Sequence, residues 1–238
     1  MTYKNIIIEK KNGYAIIQFN RVHEMNALSK EMRLEFNDAL LDVEMDQQMK
    51  ALVITGGGYV FSAGMDIKEM SSLSNVEIDD YFESMKRYLK KIYSYPKPVI
   101  AAVGGIALGG GFNIVTVCDL IVASESAIFC HPELKFGLSP LFYPLSQIVG
   151  VTKAKEIVML GEPIGANEAE RIGLVNKVAP PEKFMQEAEK IAETLSTRSV
   201  KAFEELKNIC SVVPRMDKIA ALDMELSIGG MLFARDER

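Results

Sequence analysis

The chain is poor in the residues on which most reactive centres are built. It has two histidines, His23 and His131, and three cysteines, Cys118, Cys130 and Cys210. Two histidines without a nucleophile elbow leave no Ser–His–Asp set to assemble. The cysteines are odd in number and lack metal-ligand spacing, so they read as reduced thiols of a cytoplasmic protein. No apolar run is long enough to span a bilayer, and no membrane partner is expected. No secretory signal is expected either, because Tyr3-Lys4-Asn5 leads straight into a strand pattern. A net charge of −5 argues against broad nucleic-acid binding, although a local basic patch would still serve a small anionic ligand. Low-complexity linkers and short-period repeats are missing as well.

What is present suits a globular protein. Hydrophobic residues make up 48% and charged residues 25% of 238 positions, enough for one domain or one domain with a helical appendage. Runs at 5–9 and 14–19, split by Lys11-Asn12-Gly13, read as a hairpin. Ser29 is placed to cap a helix whose apolar face is Met32, Phe36, Leu40 and Val43. A strand at Ala51–Thr55 follows, then a helix from about Ile78 to Tyr93, ended by Pro96. Strands at 98–103 and 120–124 flank a helix near 110–118. Such alternation predicts an α/β fold. After Glu133 the pattern turns helical: 145–149, 154–160, 167–172, a longer helix after Pro180-Pro181, then 199–210 and 217–233.

The organising stretch is Lys97 to Pro140. An apolar strand pattern enters Gly104-Gly105-Ile106-Ala107-Leu108-Gly109-Gly110-Gly111, and a helix pattern leaves it. Glycines let backbone approach a ligand closely, and a helix start presents free N–H groups. Those are parts of an oxyanion hole, a site that stabilises charge developing on a carbonyl oxygen. The run is not a P-loop, because no Gly-Lys-Ser/Thr follows. On its own it is equally compatible with a tight turn.

A second stretch, Phe61-Ser62-Ala63-Gly64-Met65-Asp66-Ile67-Lys68-Glu69-Met70, follows the strand at 51–55. Together with the glycine run it resembles the enoyl-CoA hydratase/isomerase (crotonase) family. Cys118-Asp119-Leu120-Ile121-Val122-Ala123, Pro132-Glu133-Leu134 and Gly173-Leu174-Val175 continue the likeness in collinear order over nearly the whole chain. The resemblance implies a crotonase-like spiral of ββα repeats over 1–150, carrying a thioester site. It implies a helical C-terminal region at 151–238 that packs between subunits of a homo-trimer or dimer of trimers. The substrate implied is an acyl-CoA or an acyl-carrier thioester, with coenzyme A part of the substrate, no other cofactor and no metal.

The same resemblance assigns residues. The backbone N–H groups of Met65 and Gly110 correspond to the family's oxyanion hole, and Glu133 to its second acid–base glutamate. Typical hydratases carry a first glutamate where this chain has Asn113. An amide can hold water, but it cannot take or give a proton at useful pH. One carboxylate suffices to move a double bond from C3 to C2 of an enoyl thioester, and isomerases of the family keep the acid at the Glu133 position alone. The implied activity is therefore Δ3,Δ2-enoyl-CoA isomerisation. The alternatives are a hydratase, lyase or decarboxylase in which Asn113 positions water or substrate, and a catalytically weak acyl-thioester-binding protein. Phe142 and Tyr143 replace a glycine-rich segment of hydratases and would dry the pocket. Ala63, Asp66, Ile67 and Lys68 are candidates for binding coenzyme A, with Asp66 more suited to capping its loop. Lys30 and His23 are weaker candidates. His131 is placed either to bond Glu133 or merely to pack.

Overall fold

A computed structural model describes residues 3–236. The first strands, β1 (Ile6–Lys10) and β2 (Tyr14–Phe19), form the antiparallel hairpin, turning at Gly13 with φ +87°. Helix α1 (Lys30–Met45) starts at Ser29, whose Oγ accepts the Met32 N–H. Three turns of chain then repeat one pattern. The first is β3 (Ala51–Thr55), β4 (Val60–Ser62), α2 (Ile67–Met70) and α3 (Asn75–Tyr93). The second is β5 (Val99–Val103), β6 (Ile106–Leu108) and α4 (Gly110–Thr116). The third is β7 (Leu120–Ser124), β8 (Ile128–Cys130), a short turn at Glu133–Phe136 and α5 (Tyr143–Leu160).

The leading strand of each turn joins one sheet and the second strand joins another. Strand β9 (Ile164–Gly165), α6 (Ala166–Arg171), β10 (Lys177–Ala179) and α7 (Phe184–Ser196) follow the third turn. The sheets run β1-β2-β3-β5-β7-β10 and β4-β6-β8-β9, with β3, β5 and β7 parallel in the first and β4, β6 and β8 parallel in the second. This is the expected ββα spiral. The three-residue strands β4, β6 and β8 are too short to show a periodicity, which is why residue patterns alone leave them unmarked.

Strands β3 and β5 are buried throughout, as parallel strands covered on both faces must be. One face meets the main core, where α1 and α3 pack through Met32, Phe36 and Leu40 against Tyr81, Met85 and Tyr88. The other face, with Ile16, Val53, Ile100 and Val122, is covered by Phe184, Ala188 and Ala192 of α7. Segments after residue 150 therefore contribute strands to both sheets and the helix that seals one of them. The helices read at 145–149 and 154–160 lie within α5, which breaks at Gly150, where φ is +78°. Helices α8 (Val200–Val212) and α9 (Lys218–Asp236) complete the described chain.

Candidate active site

Parallel neighbours end side by side, so β4 and β6 bring the loops that follow them together. Gly64 has φ +87° and Gly109 φ +48°, and only glycine holds such backbone without strain. Their contact leaves no room for a side chain. A Cβ on Gly64 would lie 2.8 Å from the Gly110 nitrogen and 2.7 Å from the Leu108 oxygen. Met65 and Gly110 are the next residues on each loop, and a Cβ on Gly110 would lie 3.6 Å from the Met65 nitrogen. Gly110 is the first residue of α4, where a helix has no acceptor for its own N–H. Among the described residues, no backbone bond outside the helices and strands uses the Met65 or Gly110 N–H as donor. Two free, neighbouring amides are what an oxyanion hole requires.

A set of polar side chains braces the Met65 loop. The Leu28 N–H donates to the Gly64 carbonyl at 2.8 Å, and the Ala63 N–H to Met25 at 2.9 Å. Asn26 is fully buried at φ 50°, a conformation asparagine tolerates better than most residues. Its Nδ2 donates to the carbonyls of Gly56, Val60 and Phe61 at 3.0–3.2 Å. Arg33, 2% exposed, donates to Leu28 O, Ser84 Oγ and Glu69 Oε1, and its guanidinium lies 3.7 Å from the Tyr81 ring centre. Glu69 also accepts the Lys30 N–H at 2.7 Å. Asp66 caps α2 by accepting the Glu69 N–H, and its other oxygen meets Arg21 at 3.1 Å. Asp66 thus braces its loop, as its place in the sequence suggested. Sequence reasoning missed the bracing roles of Asn26, Arg33 and Glu69. The one available signal was a charged Arg33 next to the apolar face of α1.

Glu133 lies in the short turn after β8 and is 7% exposed. Its Oε1 would stand 3.4 Å from a Cβ on Gly109, so the carboxylate flanks the Gly109–Gly110 peptide. His131 is fully buried, and its Nδ1 lies 3.2 Å from both carboxylate oxygens. The Phe112 ring, from α4, packs against the imidazole at 4.5 Å and 30°. Asn113 is buried one helical turn after Gly109, to whose carbonyl its N–H donates at 2.8 Å. The Asn113 Oδ1 is buried without a partner among the described residues. Glu133 and His131 thus adjoin the Gly109–Asn113 turn, which carries Phe112.

The remaining candidates are more dispersed. Phe142 is half-buried against the main core. Tyr143 is 47% exposed, and its hydroxyl accepts a bond from Arg215 at 2.9 Å. Ala63 is half-buried, while Ile67 and Lys68 are exposed on α2. Lys30 and His23 are also exposed. A cleft of about 240 Å³ between α5 and the β9–α6 segment, lined by Lys153, Glu156, Ile164 and Glu168, shares no residue with the Glu133 cluster. No helix among the described residues is long and apolar enough to cross a membrane.

Known proteins resemble this chain in sequence and fold. The family model described as enoyl-CoA hydratase/isomerase matches residues 9–238. A crotonyl-CoA hydratase of Syntrophomonas wolfei is 37% identical over 242 aligned residues, covering 100% of this chain and 93% of that protein. A short-chain-enoyl-CoA hydratase of Clostridium acetobutylicum is 34% identical with the same coverage. Among solved structures, an enoyl-CoA hydratase from Bacillus anthracis superposes with a TM-score of 0.89 at 27% identity, covering 99% of this chain and 97% of its own.

Proposed function

The chain belongs to the enoyl-CoA hydratase/isomerase family, and we propose that it moves protons on enoyl thioesters of coenzyme A with Glu133 as its single acid–base carboxylate. The thioester oxygen would accept bonds from the Met65 and Gly110 N–H groups. Glu133 would take a proton from C2 of a 3-enoyl thioester, and the electron pair would spread into a dienolate whose charge rests on that oxygen. The same carboxyl would return the proton at C4. The double bond then lies between C2 and C3, and no water is consumed.

The observation that carries this reading is Asn113. It lies in α4 one turn beyond the Gly109 carbonyl, at the position where a hydratase of the usual pattern places its other carboxylate. With an amide there, isomerisation is the reaction that the remaining carboxylate completes alone. Hydration is the second reading. The relatives' names support it, and on the comparisons alone it is the better supported of the two. In it the Asn113 amide would hold the water that Glu133 activates.

The two are separated by offering the purified protein a 3-enoyl-CoA and a 2-enoyl-CoA. The conjugated product absorbs in the ultraviolet, so isomerisation raises the signal from the first and hydration lowers it from the second. Faster turnover of the 2-enoyl thioester would replace the isomerase reading by the hydratase one. Loss of both signals would favour a protein that only binds thioesters.

Assembly into a trimer or dimer of trimers belongs to the same proposal. In helix α9, Ile228 is buried in its own protomer, Met224 and Leu232 are half-buried and Met231 is exposed. Helix α9 also exposes Ile219, Leu222, Leu226 and Phe233, whose spacing puts them on one face. An apolar face of that kind supports burial against a neighbour.

A further inference from the structure

His131 takes no part in the proton transfer just described, yet it is wholly buried against the base. Its Nδ1 faces both oxygens of Glu133 at 3.2 Å, and its Nε2 is buried with no partner among the described residues. The Phe112 ring lies against the imidazole, so one face of the ring meets carbon rather than water. Three protonation states are open to the imidazole, and the surroundings rank them.

An imidazolium would leave a charged N–H at Nε2 buried with nothing to accept it, which is the costliest arrangement. A neutral ring with its proton on Nε2 would also orphan a buried donor. It would further turn the Nδ1 lone pair towards the lone pairs of a carboxylate. That clash disappears only if Glu133 is protonated, and a protonated Glu133 is no base. With the proton on Nδ1, the donor meets both carboxylate oxygens, and the only unmatched group is a lone pair on Nε2. Orphaned acceptors are tolerated better than orphaned donors.

We propose that His131 is held as the neutral Nδ1–H tautomer and is a positioning residue for Glu133. Its N–H bond fixes the carboxylate's rotation beside Gly109, next to the candidate oxyanion amides. The role rests on the reading of Glu133 as the base. The tautomer rests on burial and geometry alone.

The chain's two histidines make the tautomer directly observable. Uniformly 15N-labelled protein, in long-range 1H–15N correlation at neutral pH, should show His131 with a protonated Nδ1 and a bare Nε2. His23, which is exposed, serves as the reference. A proton on Nε2, or on both nitrogens, overturns the assignment. The positioning role is read from two variants. His131→Leu removes the donor and should lower kcat on the better enoyl thioester by on the order of ten- to a hundred-fold, with KM nearly unchanged. His131→Asn puts an amide N–H where Nδ1–H stood and should recover most of that loss. If Asn is no better than Leu, or if Leu turns over like the native protein, His131 only packs. If the native protein turns over neither thioester, the reading of Glu133 as base fails, while the spectrum still decides the tautomer.

Discussion

Gly110→Pro tests the oxyanion hole with little disturbance to the fold. The substitution replaces one N–H by a ring carbon that points into the space the thioester oxygen would occupy. Gly110 is the first residue of α4, the helical position that suits proline best. Proline disfavours helical backbone in the residue before it. Gly109 is not helical: its φ of 48° and ψ of −117° mirror the extended region, which glycine reaches freely. The nearest atoms to a Cβ at Gly110 are Leu28 Cδ1 at 3.4 Å, Gly64 Cα at 3.5 Å and the Met65 nitrogen at 3.6 Å, close to ordinary contact. Among the described residues no backbone bond outside the helices and strands uses the lost donor, so folding forfeits little. Catalysis forfeits one of two oxyanion donors, which typically costs about 2.7–4 kcal/mol, or a hundred- to a thousand-fold in kcat. The expected result is that fall in kcat with a circular dichroism spectrum and melting temperature close to the native ones. Gly110→Ala is the control, because it adds a Cβ but keeps the N–H, and it should retain most of the activity. A Pro variant with native kcat, or an Ala variant as slow as Pro, would refute the assignment of the Gly110 N–H.

Four further outcomes follow from the same geometry. Glu133→Gln should lower turnover of the preferred enoyl thioester by about a hundred- to ten-thousand-fold while calorimetric affinity for an acyl-CoA changes little, since the amide keeps the shape but cannot accept the proton; native turnover would remove Glu133 as the base. Asn113→Glu should raise hydration of a 2-enoyl-CoA by supplying a second carboxylate, and rapid hydration by the native chain would show that the amide is no handicap. Arg33→Met should cost about 3 kcal/mol of stability in urea melts, because it leaves Glu69 and the Leu28 carbonyl without their buried partner; a loss below about 1 kcal/mol would class the Arg33–Glu69 pair with surface ion pairs. Sedimentation at micromolar concentration should show a trimer or hexamer, and a stable monomer would mean that the exposed face of α9 needs no cover.

Much of this protein is readable along the chain because the controlling physics is local. The hairpin follows from two β-rich runs around Gly13, α1 from Ser29 and a 3.6-residue apolar repeat, and the leading strands β3, β5 and β7 from their short apolar runs. The positions of Met65, Gly110, Glu133 and Asn113 were readable as well, because short collinear segments carry them. What the chain did not reveal depends on which segments meet. Strands β4, β6 and β8 exist only because neighbouring turns of the spiral pair them, and three residues are too few to announce a period. Their pairing sets the Gly64 and Gly109 loops against each other and so brings two separate amides side by side. The Arg33–Glu69 clamp spans 36 residues and joins α1 to α2 only in the folded core. Along the chain His131 could have packed or bonded; the fold buries its Nε2 and sets its Nδ1 against Glu133. A polar group's role is set by what surrounds it once water is removed, and that is a property of the tertiary structure alone.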